Sequence, residues 1–108
     1  MSQPTITPDA PITIAPIRDV PVAANTHLRR GVSAQGVPNV VATLPAGEYR
    51  ALEQCTGELV TLADGAHNIW WVRITTGGLV GWVSAVAVLE GGNDEPIAGV
   101  PQVPTVNS

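Results

Sequence analysis

The sequence contains no phenylalanine and no lysine, and only one cysteine, Cys55. Without lysine, all positive charge comes from Arg18, Arg29, Arg30, Arg50 and Arg73, and the formal net charge is −4. Two adjacent arginines do not make the basic stripe that phosphate neutralisation needs, so nucleic acid is excluded as a partner. A lone cysteine forms no internal disulfide, and no Cys-x-x-Cys or Cys/His grouping offers a metal site; Cys55 reads as a small, partly buried side chain. No apolar run approaches the length of a membrane span. The opening MSQPTITPDAP lacks a basic stretch followed by an apolar one, so no secretory signal is visible in this chain. Only 13% of the residues are charged while 44% are hydrophobic, which rules out a disordered polyelectrolyte.

The residues that are abundant set the architecture. Eleven glycines and ten prolines interrupt the chain too often for long helices, and the Val, Ile and Thr content favours short strands. Residues 1–21 are rich in Pro, Thr and Ile, and residues 91–108 in Gly and Pro; both read as extended tails or linkers. Between them, residues 22–90 carry the cadence of a small all-β domain of five to six short strands. Expected strands cover 22–28, 39–44, 49–52, 58–62, 69–75 and 79–84, with 86–89 as a last strand or a single helical turn. Gly77-Gly78 marks the best hairpin, because glycine tolerates the positive φ of a tight turn.

All three tryptophans fall in NIWWVRITTGGLVGWVSA at 68–85, and Tyr49 is the only other aromatic residue. Strand alternation puts Trp70, Val72 and Ile74 on one side and Trp71, Arg73 and Thr75 on the other. The first set is uniformly apolar and is expected in the core. Trp71 is then a surplus ring with two readings: a structural one under the connection at 53–68, and a platform for a ligand with Arg73 beside it.

Four segments, HLRRGVS at 27–33, VPNVVATLPAG at 37–47, WWVRI at 70–74 and GWVSA at 81–85, occur in the order found in bacterial SH3-like domains. That family commonly reads Asn-Val-Arg-Ser-Gly-Pro, Val-Ile-Gly-Thr-Leu-x-x-Gly, Trp-x-Val or Trp-x-x-Val, and Gly-Trp-Val-Ser. The central zone resembles this family; His27, Arg30 and Val32 depart from it, and the stretch at 53–68 is longer than usual. The resemblance implies a small SH3-like barrel, an ion pair for Arg29, and a non-catalytic module that binds cell-wall polymer, other surface polymer or a protein partner. It makes Trp71, Trp82 and Tyr49 the ring contacts and Arg73 a polar one, on a protein acting outside the cell or at its surface.

No enzyme is expected. His27 and His67 lack a carboxylate at a familiar catalytic spacing, Ser33 and Ser84 lie in no nucleophile elbow, and Asp64 is a turn residue. Glu48, Glu53 and Glu58 are scattered, and no cofactor is implied. An alternative function belongs to a different class. In Pro11-Ile12-Thr13-Ile14-Ala15-Pro16, Ile12 and Ile14 share one face, so the N-terminal tail could add as a strand to another copy and build a homo-oligomer.

Overall fold

The computed structural model describes residues 18–33 and 39–105. It is all-β, with six strands: β1 (Arg18–Val22), β2 (Thr26–Arg29), β3 (Val40–Leu44), β4 (Gly47–Thr61), β5 (His67–Thr76) and β6 (Leu79–Ser84). They form one antiparallel sheet in the order β1-β4-β5-β6-β2-β3. The sheet is open: among the described residues no ladder joins β1 to β3. A single 3-10 turn, Ala85–Ala87, follows β6, and Val88 then bridges to Val22.

The β5–β6 hairpin forms as its glycines demand, with φ of 54° at Gly77 and 85° at Gly78. Residues 22–28 do not form one strand. They break at Asn25, which adopts a φ of 62° that asparagine tolerates, while the Thr26 hydroxyl donates to the Ala23 carbonyl at 2.7 Å. The strands expected at 49–52 and 58–62 are one 15-residue strand, β4. Thr56-Gly57 looks like a turn in the sequence but lies in a bulge, where the register slips between Thr56 and Val60. Gly57 is required there by close approach: a Cβ would sit 2.5 Å from the Cβ of Val32.

A second slip in β4, at Leu52, has wider effects. Ala51 pairs with Ile74, but Glu53 pairs with Arg73, so one extra residue reverses the alternation of everything that follows. Ala51 faces the main core with Val20, Val22, Leu28, Val72, Ile74 and Val83. Beyond the bulge it is Gln54, opposite Val72, that faces this way, while Cys55 turns to the other side opposite Trp71.

Gln54 explains why the expected C-terminal linker is part of the fold. It is fully buried, and its Nε2 donates to the carbonyls of Ile97 and Val100, both at 2.8 Å, while its Oε1 accepts from the Ile97 amide at 2.8 Å. Its own backbone bonds to the Pro101 carbonyl and the Val103 amide, so residues 101–103 run beside β4 as a parallel extended segment. Ile97 and Val100 enter the main core. Asn68 repeats the device upstream, donating to the carbonyls of Gly92 and Glu95. The expected N-terminal tail also ends early: Arg18–Val22 is a sheet strand whose Arg18 pairs with Glu90 at 2.6 Å.

Two substitutions test this account. Gly57→Ala should cost about 1–3 kcal/mol by overpacking against Val32, read as a lower denaturant midpoint. Gln54→Leu strands the buried Ile97 amide and Val100 carbonyl, while the Ile97 carbonyl keeps the Val100 amide, and should cost on the order of 3 kcal/mol. Hydrogen exchange at the Ile97 and Val103 amides should accelerate in that variant more than exchange in β5.

Candidate functional site

Residues paired directly across strands share a face, and the ladders place Arg29, Trp82, Arg73 and Glu53 in one row across β2, β6, β5 and β4. The next row is Ser84, Trp71 and Cys55. The alternation read from the sequence therefore holds: Val72 and Ile74 are buried in the main core with Trp70 packed against it, and Trp71 and Arg73 lie on the opposite side.

That opposite side is not open to solvent around Trp71. Val32, Cys55 and Trp82 form a second buried cluster with it, and Val60 and Val103 pack against them. Trp71 is 1% exposed and Trp82 5%. The indole Nε1 of Trp71 donates to the Glu58 carbonyl at 2.9 Å, as a buried indole must find an acceptor. Trp71 and Trp82 are consequently packing residues, and the expectation that they present ring faces to a ligand is corrected. The cause is the outer half of β4, which folds over them and bonds through the Glu58 amide to the Val32 carbonyl at 3.0 Å.

Arg73 and Tyr49 fare differently. The Arg73 guanidinium meets Glu53 at 3.3 Å, and this half-buried pair spans the face beside Trp82. Tyr49 packs against the main core on the other face, its hydroxyl donating to the Pro45 carbonyl at 2.6 Å. So the structure brings three of the four expected contacts together and leaves Tyr49 apart. Arg29 donates to the Asn39 side chain at 2.8 Å. His67, at the start of β5, stands 3.1 Å from Asp94, and Asp64 accepts from the Ala66 amide, within the turn that its position implied. Cys55 is completely buried. Ile12 and Ile14 lie outside the described residues.

The site that sequence reading missed lies where a ladder stops. β2 pairs with β6 only at Arg29 and Trp82. Continuing that register would bring His27 opposite Ser84, but there the chain turns away: the Ser84 hydroxyl accepts from the Val86 amide and caps the 3-10 turn. The gap is a cleft of about 440 Å³, with Trp71 among its lining residues. Its walls are mostly apolar or small, Val60, Val86, Ala23 and Ala87 among them, and His27, Arg29 and Asp64 supply polar groups. Leu62 and Leu89, 44% and 66% exposed, also line it. A volume of this size, apolar walls and a few polar groups suit a bound ligand.

Strand geometry adds donors and acceptors to this cleft. Neighbouring peptide groups alternate sides, and the Arg30 amide is committed to Asn39 on the β3 side. The main chain of Arg29 therefore points toward β6, where it pairs with Trp82, and that of His27, two residues before it, points the same way into the cleft. Nothing in the sequence marks Leu62 or Leu89 for this role, since each sits beside a turn and the cleft unites segments about 25 residues apart.

Among the described residues no helix is long and apolar enough to cross a membrane. A scan against protein-family models, a search of curated proteins and a search of solved structures each found no match to this chain.

Trp71→Phe should lose about 1–3 kcal/mol, since it keeps a ring but removes the indole bond to the Glu58 carbonyl. Denaturant unfolding of this variant beside Leu89→Asp makes the comparison, because the exposed Leu89 should tolerate change within roughly 0.5 kcal/mol.

Proposed function

We propose that the chain is a non-catalytic binding module of the SH3-like type, acting at or beyond the cell surface, with the cleft between His27 and Ser84 as its ligand site. The observation that carries this reading is the exposure of Leu62 and Leu89, both lining an apolar cleft. Large aliphatic side chains left in water beside a concave surface are the usual mark of a binding site. The order of the four sequence segments supports the SH3-like assignment, and a six-stranded antiparallel sheet is compatible with it.

The ligand is drawn from the same physical facts. Stacking a sugar needs an open ring face, and both Trp71 and Trp82 have theirs buried. Alanine and valine walls suit small aliphatic side chains instead. The reading is thus of a peptide-bearing envelope polymer, such as the peptide part of a bacterial cell wall, or of a protein partner with an extended apolar segment.

Sedimentation with insoluble bacterial cell walls provides the test. The protein should pellet only when walls are present and in a saturable manner. The double variant Leu62→Asp/Leu89→Asp should bind at least about tenfold more weakly, because a carboxylate in an apolar contact is desolvated without a partner. Full retention of the protein in the supernatant overturns the cell-wall reading, and unchanged pelleting of the double variant overturns the cleft as its site.

A further inference from the structure

We infer that the cleft also receives the segment Pro11–Pro16 of a second copy of this chain, which docks as an added strand beside β2. This rests on the reading of the cleft as a ligand site and names one occupant for it. Four observations converge. First, the cleft is an interrupted ladder: β2 and β6 part after Arg29 and Trp82, and the His27 main chain faces the gap. An extended segment entering there continues a sheet that is already started, gaining main-chain bonds to His27.

Second, the fold already accepts a segment of this kind. Pro101-Gln102-Val103-Pro104 docks on β4 as an extended segment, bonded through the Gln54 backbone, with Val103 packed against the Trp71 cluster. Pro11-Ile12-Thr13-Ile14-Ala15-Pro16 is similarly bounded: a proline at each end limits its length, and the β-branched Ile12, Thr13 and Ile14 between them favour an extended strand. Third, the chemistry matches. The segment carries no charge, and its two isoleucines share one face that suits walls of valine, alanine and leucine.

Fourth, the chain enters the sheet from the end of β1 away from Ala23. β1 runs from Arg18 toward Ala23, which lines the cleft about 17 Å further on. Pro16 precedes Arg18 by two residues, so the segment would have to reverse direction within that short link to lie along its own β2. A second molecule brings the segment in without that reversal, and it is the donor we assign. Each molecule then offers one donor segment and one acceptor cleft.

Sedimentation velocity of the full chain and of two variants, alone and mixed, tests this. The wild type should form concentration-dependent oligomers. Donor variant Ile12→Asp/Ile14→Asp and acceptor variant Leu62→Asp/Leu89→Asp should each be monomeric, with unchanged circular dichroism. Mixed in equal amounts they should give a heterodimer, since the acceptor variant keeps its segment and the donor variant keeps its cleft. A wild type that stays monomeric up to millimolar concentration overturns the inference, as does a mixture that does not associate, or oligomers that survive in either variant alone. Cell-wall pelleting of the donor variant separates the two readings. If it still pellets while the wild type is monomeric, the cleft stands as a wall-binding site and only the self-docking falls.

Discussion

The buried amide of Gln54 holds this fold together. An amide side chain in an apolar core is unfavourable unless its donors and acceptor are met, and here they are met by the main chain of one segment, Ile97 and Val100. The amide points inward because of the bulge at Leu52, which reverses the alternation of β4. From that one extra residue follow the docking of the C-terminal segment, the completion of the main core by Ile97 and Val100, and the cover that Val103 provides over Trp71. A chain with no phenylalanine has few large side chains to fill a core, and it recruits its own tail to finish the work.

The sheet buries apolar groups on both faces, which a single open sheet does not ordinarily manage. It does so because β4 is long and bent. Its first half pairs with β1 over one core, and its outer half folds across Trp71 and meets Val32 through the close approach at Gly57. The second cluster of Val32, Cys55, Trp71 and Trp82 is built around the indole bond to Glu58. Where that cover ends, the β2–β6 ladder has also ended, and the cleft opens. The site is therefore a by-product of how the sheet curls, positioned by Ser84 turning the chain into a 3-10 turn.

Much of the fold was legible in the sequence. The Gly77-Gly78 hairpin, the residues of β6 and the two-sided alternation of β5 were readable because turn chemistry and period-two patterning act locally. The bulges were not readable. Thr56-Gly57 has the composition of a turn, and only the distant Val32 makes the glycine a matter of close approach. Likewise, Pro and Gly at 91–108 give a linker's composition, and nothing local announces that Gln54, more than 40 positions away, will hold it. The candidate site was the least legible part. Trp71 drew attention as an aromatic in excess, but its partners arrive from β4 and from residue 32, and the cleft unites four separate stretches whose apolar members are ordinary alanines, valines and leucines apart from Trp71 itself.

The manner in which Gln54 holds the tail bears on how far such a chain can drift. It grips peptide groups and ignores side chains, so Ala98, Gln102 and Pro104, all exposed, are free to change without loosening it. Only Ile97, Val100 and Val103 are tied by packing, and Gly99 by its φ of 81°. Two proteins could thus share this strap and this architecture while their C-terminal sequences retain four recognisable positions in nine.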